Sequence, residues 1–159
     1  MNYQGYYSRE QVIELVEREF PYINRPDDEH IFLYDKNDLM RKILSPRLEK
    51  FDGQQLTCEG VLSLYDEFSS ITRYAVEWLF PSLLRFILRR QDTSDNLHWY
   101  LPTYFENMEL DSELSAHNFN WLSETQIQCL LIVLEYVAEE YGESVATSQE
   151  NLNQLSTKT

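Results

Sequence analysis

The apolar residues of this chain recur at helical spacing, and the polar residues between them sit where helix ends need them. Val12, Ile13, Leu15, Val16 and Phe20 form one apolar side opposite Glu10, Glu14 and Glu17. Ser8 and Gln11 form an S-x-x-Q capping box before them, and Tyr7 can staple onto Val12. Pro21 ends this first helix. A short helix is expected from about Asn37 to Leu44, with Pro46 interrupting it. Thr57 caps a third, running to about Phe68 with Val61, Leu62, Leu64, Tyr65 and Phe68 on its apolar side. The fourth, from about Thr72 to Arg90, is apolar nearly all round. Its exceptions, Glu77, Pro81, Arg85 and Arg89, recur every four residues on one stripe. That pattern describes a central helix buried on most sides, and Pro81 should kink or break it. A fifth helix is expected over Asn96 to Phe105. The clearest element comes last: Ser123 and Gln126 form a second capping box, and Leu122 can staple onto Ile127. Ile127, Leu130, Leu131, Leu134, Val137, Ala138 and Tyr141 then follow helical spacing up to Gly142, a natural C-cap.

Between these elements the chain reads as turns. Phe20 to Ile31 holds two prolines and the Asp27-Asp28 pair, Asp52-Gly53 is a turn signal, and Asp92 to Asp95 is another. Glu106 to Asn120 is polar and irregular. No segment keeps up two-residue alternation. His30 to Tyr34 is the one strand candidate, and a lone strand has nothing to pair with. The pattern therefore predicts an all-α fold: a compact single-domain helical bundle of five to six helices over residues 1–142, with a kinked central helix around Pro81. Residues 143–159 read as a polar, mobile tail.

Length and composition fit one domain able to bury a core unaided: 159 residues, 43% hydrophobic. The 14% aromatic content is high, and most of the rings sit beside aliphatic residues at core positions. Cys58 and Cys129 lie far apart, each in an apolar helical pattern, which reads as two buried free thiols in a reducing compartment. The N-terminal ten residues lack the basic and apolar regions of a signal peptide. The most apolar stretch, Tyr74 to Leu88, is interrupted by Glu77, Pro81 and Arg85. A cytoplasmic protein is expected.

Charge changes the picture most. The net charge is −14 and is unevenly distributed. Residues 1–90 hold twelve Lys or Arg against fifteen Asp or Glu. Residues 91–157 hold twelve acids and no Lys or Arg, and only Lys158 follows. Such a surface repels nucleic acid and anionic membranes, and it steers a basic protein toward itself at low salt.

Candidate chemistry is sparse. There is no G-x-S-x-G and there are only four glycines, so nucleophile elbows and Gly-rich phosphate loops are absent. Asp27, Asp28, Glu29 and His30 are consecutive, and consecutive loop side chains point different ways. His98 and His117 lack a histidine partner at helical spacing. Glu77, on the apolar fourth helix, is the one carboxylate whose position suggests a perturbed pKa. The sequence thus assigns no catalytic residue, no metal ligand and no cofactor. What remains is a surface for a partner: Trp99, Tyr104, Glu106, Glu109, Asp111 and Glu113, in a segment where carboxylates interleave with Tyr100 and Phe105. Aromatic anchors ringed by acids suit a basic protein.

The segments Phe20 to Asp28 (F-P-Y-I-N-R-P-D-D), Phe51-Asp52-Gly53, Leu79-Phe80-Pro81 and Leu122 to Gln126 (L-S-E-T-Q) carry a resemblance to a family of small bacterial proteins with no assigned activity. The likeness spans Ser8 to Tyr141. The chain departs from the family's aromatic pair before a Leu-Pro step, having Trp78, Leu79 and Phe80 there. The resemblance implies a small α-helical cytosolic protein and hands on no catalytic residue. In size, acidity and lack of catalytic motifs the chain is also similar to immunity proteins that neutralise bacterial toxins. The expected function is therefore a non-catalytic binding protein for a basic protein partner, in its sharpest form toxin immunity. The alternatives are an enzyme using carboxylates, with or without a divalent metal, and a housekeeping interaction domain whose acidity is incidental.

Overall fold

The first amides of any helix lack acceptors within it, so a helix start needs an oxygen from outside. In the computed structural model, which describes residues 7–65, 67–89 and 97–157, N-cap side chains supply that oxygen, Thr57 Oγ1 accepting from Gly60 N at 3.3 Å among them. Ser8 accepts from Gln11 N and opens α1 (Arg9–Glu19). Asp27 accepts from His30 N and opens α2 (Asp28–Ile31). Asp38 does the same from Arg41 N for α3 (Leu39–Leu48). After α4 (Cys58–Tyr65), α5 (Arg73–Arg89) and α6 (Leu97–Glu106), Ser123 accepts from Gln126 N and opens α7 (Glu124–Tyr141). Both expected capping boxes are present. Gly142 ends α7 with φ 72°, the left-handed conformation that a residue without Cβ adopts freely. The last element is α8 (Ala146–Thr157).

The fold is all-α. The described residues hold eight helices rather than the expected five to six, and two isolated β-bridges in place of strands. The additional helices are α2, in the segment read as a turn, and α8, in the segment read as a mobile tail. α8 is a correction with a clear cause: its few apolar residues fall on one face, so Leu152 and Leu155 are buried together with Ser148. α3 also runs through Pro46, and α5 continues through Pro81 without a break. The expected turn at Asp92 to Asp95 lies outside the described residues. Among those residues, no helix is long and apolar enough to cross a membrane.

Where the sequence suggested one domain, the chain divides into two compact units. The first holds the described residues up to Pro21, Leu84–Met108 and those from Asn120 onward. The second holds Tyr22–Leu83 and Glu109–Phe119. The boundary falls inside α5.

In the first unit α7 packs on α1, α6 and α8, and α8 packs on α6. Polar pairs fix the directions. Ser156 Oγ donates to Glu124 Oε2 at 2.6 Å and Gln149 Nε2 to Glu135 Oε2 at 3.0 Å, so α8 runs antiparallel to α7. Ser148 Oγ donates to Pro102 O at 2.7 Å and Asn151 Nδ2 to Phe105 O at 2.8 Å, so α8 runs parallel to α6. The core between them includes Leu101, Phe105, Leu131, Leu134 and Leu152, each fully buried. Arg85 Nη1 donates to Phe20 O at 2.9 Å, which gives a buried guanidinium an acceptor at the end of α1.

In the second unit α3 packs on α4. The approach at α4 is close: a Cβ on Gly60 would stand 2.8 Å from Leu56 Cδ2 and 3.3 Å from Phe51 Cε2. The segment expected to have no strand partner has one. Phe32 forms an antiparallel bridge with Ile71, and Thr72 forms another with Ser115. Leu33 N donates to Ser70 O at 3.0 Å, Thr72 N to Ile31 O at 2.9 Å and Arg73 N to Leu114 O at 3.0 Å. Three extended pieces thus satisfy one another's backbone in a helical protein. Trp78 and Phe80 of this unit are both fully buried, with Phe119 5.9 Å from Phe80.

The burial of Leu152 makes α8 a structural element of the first unit. Leu152→Ala is expected to destabilise the protein by about 2–5 kcal/mol, read as a lower urea midpoint with unchanged slope. A tail without packing would leave the midpoint where it was.

Candidate functional site

The loop Glu109–Phe119 is where sequence-selected acids and defined geometry coincide. Its C-terminal end is anchored by apolar burial: Ala116 is 1% exposed and Phe119 fully buried. Its interior is wound by short-range hydrogen bonds. Ser112 N donates to Glu109 O at 3.3 Å, Ser115 N to Ser112 O at 3.2 Å and Asn118 N to Ser115 O at 3.0 Å. Glu109 N donates to His117 O at 3.0 Å and closes the loop across its base. Two buried side chains complete the clamp. Asn118 Nδ2 donates to Ser112 O at 3.0 Å, and Ser115 Oγ donates to Glu109 Oε2 at 2.6 Å. The result is a loop whose backbone is satisfied from within. It carries Asp111 and Glu113 on its exposed side beside Leu114, which is 47% exposed. Glu109 is also exposed, but one of its oxygens is engaged by Ser115.

The other three sequence-selected residues belong to the first unit. Trp99 and Glu106 are seven residues apart on α6, share its exposed face, and Trp99 is 49% exposed. The Trp99 ring stands edge-on to Tyr100, centroids 4.9 Å apart. Tyr104 is a correction: at 3% exposure it is a core residue and not an anchor for a partner. The reason is the spacing of Leu97, Leu101, Tyr104 and Phe105, which places all four on the buried side of α6. Position along the chain groups Tyr104 with its acidic neighbours, whereas helical geometry groups it with Leu101. Leu114 is the residue that sequence reading missed. A lone leucine between acids and serines gives no periodic signal, and its exposure comes from the clamp around it.

Among the described residues, the carboxylates of the later half are left without a Lys or Arg partner. Among the described residues, Lys and Arg make ion pairs with Glu17, Glu19, Asp28, Glu29, Glu59 and Glu77, all in the first half of the chain. Beyond Glu106 the one ion-pair contact is from Glu143 to His98, at 3.5 Å.

The places suggested for chemistry have structural occupations. In the Asp27–His30 run, His30 Nδ1 lies 2.6 Å from Asp27 Oδ1, Asp28 is paired with Arg25 at 3.0 Å, and Glu29 with Arg41 at 2.8 Å. The hydrogen bond from His30 holds the Asp27 carboxyl below its ordinary range. No group of three or more His, Cys, Asp or Glu is placed to hold a metal among the described residues. Glu77 is half-buried and paired with Arg73 at 3.2 Å. Burial pushes its pKa up, against the pull of Arg73.

Between α1 and α7 lies an open groove of about 330 Å³, lined among others by Gln11, Glu14, Arg18, Thr125, Cys129 and Ile132. Arg18 and Thr125 hydrogen-bond the adjacent Glu19 and hold its carboxyl below the ordinary range. Burial pushes the Cys129 thiol up to about 12, so it stays protonated and is a poor nucleophile. Neither cysteine is in a disulfide. Cys129 is buried as expected, whereas Cys58 is only half-buried.

Comparison with protein-family models, with curated proteins and with solved structures returned no match.

Two outcomes follow from these environments. The folded state holds the Glu77 proton more tightly than the unfolded chain does. Native molecules therefore bind more protons just above pH 4.5, the ordinary value, and this contribution to stability falls as pH rises through the raised pKa. Glu77→Gln should flatten that part of the stability–pH curve in denaturant titrations. A slope identical to that of the parent would show that Glu77 does not generate it. For Cys129, a disulfide-exchange reagent at pH 8 should leave the thiol unmodified in native protein and modify it fully in urea, as followed by peptide mass.

Proposed function

We propose that this chain is a non-catalytic binding protein that engages a basic protein through preorganised acidic surface. Its sharpest form is an inhibitor of the immunity type, which covers the cationic site of a toxin. The observation that carries this reading is the clamped loop Glu109–Phe119. Its hydrogen bonds and buried side chains fix a backbone from which Asp111 and Glu113 project without cationic partners, next to an exposed leucine. A loop held in one conformation loses little entropy when it binds, and an apolar residue among charges supplies contact area that charge alone does not. Trp99 and Glu106 on α6 offer a second combination of ring and carboxylate. Unpaired carboxylates speed encounter with a basic protein over long range and discourage nucleic acid and anionic lipid. This reading places the protein in the cytoplasm.

The test begins with affinity capture on the tagged protein and identification of what is retained. The retained protein is then titrated at about 50 and 300 mM salt, concentrations that bracket strong and weak screening. A basic partner is expected, whose association slows as salt rises. The double reversal Asp111→Lys/Glu113→Lys should weaken binding roughly tenfold or more, with the helical circular dichroism unchanged. A partner bound equally well in both salts and by both proteins would refute the proposal.

A further inference from the structure

α3 presents an unusual face for so acidic a protein. Its ten residues contain no carboxylate and three cations. Arg41 is turned inward, 7% exposed, where it donates to Tyr34 O at 2.9 Å and pairs with Glu29. With Leu44 and Leu48 it forms the buried side of the helix. The opposite side is Leu39, Lys42, Ile43, Pro46 and Arg47, at the i, i+3, i+4, i+7 and i+8 positions of one helical stripe, and all five are exposed. Leu39 is 69% exposed, the most open large apolar residue among those described, and Ile43 is 42% exposed. Among the described residues, the cationic side chains without a hydrogen-bond or ion-pair partner are Lys36, Lys42 and Arg47, and two of these lie on this stripe.

We infer that the exposed face of α3 docks an acidic amphipathic helix of another protein: Leu39, Ile43 and Pro46 receive its apolar ridge, and Lys42 and Arg47 pair with its flanking carboxylates. Two apolar side chains one turn apart are what a partner helix packs against, and the cations beside them select for acids. A second copy of the chain fits poorly. A two-fold contact through this stripe would bring Lys42 and Arg47 toward their own symmetry mates. This surface is independent of the acidic loop proposed above.

The probe is a fluorescein-labelled helical peptide with leucines at i, i+3, i+4 and i+7 and glutamates flanking them. The control keeps the leucines and replaces glutamate with lysine. Fluorescence anisotropy with the full chain should show saturable binding of the glutamate peptide, weakened by salt, and no binding of the lysine peptide. Leu39→Ser/Ile43→Ser and Lys42→Glu/Arg47→Glu alter only exposed side chains. Each should weaken binding roughly tenfold or more, while urea unfolding stays as in the parent. Equal binding of both peptides, or binding that neither variant changes, overturns the inference. So does self-association in sedimentation velocity that the Leu39/Ile43 variant abolishes, which would give the face to a second copy. Co-sedimentation with phosphatidylserine vesicles that depends on Lys42 and Arg47 would give it to a membrane and equally overturn it.

Discussion

A seventeen-residue helix buried on almost every side must find partners for the polar groups it carries inward. Apart from Arg73 Nε, which is buried without a hydrogen-bond partner, α5 meets that demand with the ends and loops of other segments. In the second unit Ser82 Oγ accepts from Leu56 N at 3.0 Å, and Trp78 Nε1 donates to Gly53 O at 3.2 Å. In the first, Arg85 reaches Phe20 O, Arg9 donates to Leu88 O, and Tyr141 Oη donates to Ile87 O at 3.3 Å. The loop after Asp52 and the end of α1 are thus fixed by what α5 requires. The stripe of Glu77, Pro81, Arg85 and Arg89 is exposed only at its Arg89 end. Pro81 is buried, Arg85 is 8% exposed, Glu77 is half-buried against Arg73, and Arg89 pairs with Glu17.

That demand also sorts the charges. Four guanidinium groups of the first half are consumed locally: Arg18 by Glu19, Arg25 by Asp28, Arg41 by Glu29, Arg73 by Glu77. Arg25 and Arg41 lie in addition over the rings of Trp78 and Phe32. Few cations remain for the carboxylates of the second half, which keep their field. The exposed pairs add little stability, so the charge asymmetry bears on encounter with other molecules more than on folding.

What could be read from the chain was local. Ser8 with Gln11, Ser123 with Gln126, and Gly142 act within four residues of themselves, and all do what their chemistry implies. α8 was hidden because its stability comes from elsewhere: Ser148 and Asn151 donate to carbonyls of α6, and nothing in residues 143–159 announces those acceptors. Phe32 has no partner legible nearby, because Ile71 is thirty-nine residues away. The candidate surface was legible in its acids, since charge near a turn stays outside. It was not legible in its rings, since Tyr104 follows helix phase into the core. Leu114 and the α3 stripe could not be weighed without knowing which face each neighbouring element covers.

The order of segments in the first unit has a consequence for how the protein is made. α1 leaves the ribosome more than a hundred residues before α7, against which it packs, and the second unit's continuous stretch from Tyr22 to Leu83 is synthesised in the interval. At ordinary translation speed that interval lasts about 5–20 s. Val12 and Val16, fully buried in the finished protein, lack that covering throughout it. A nascent chain of this kind offers chaperones an apolar N-terminal helix early, and it closes its first unit only when α7 and α8 have emerged.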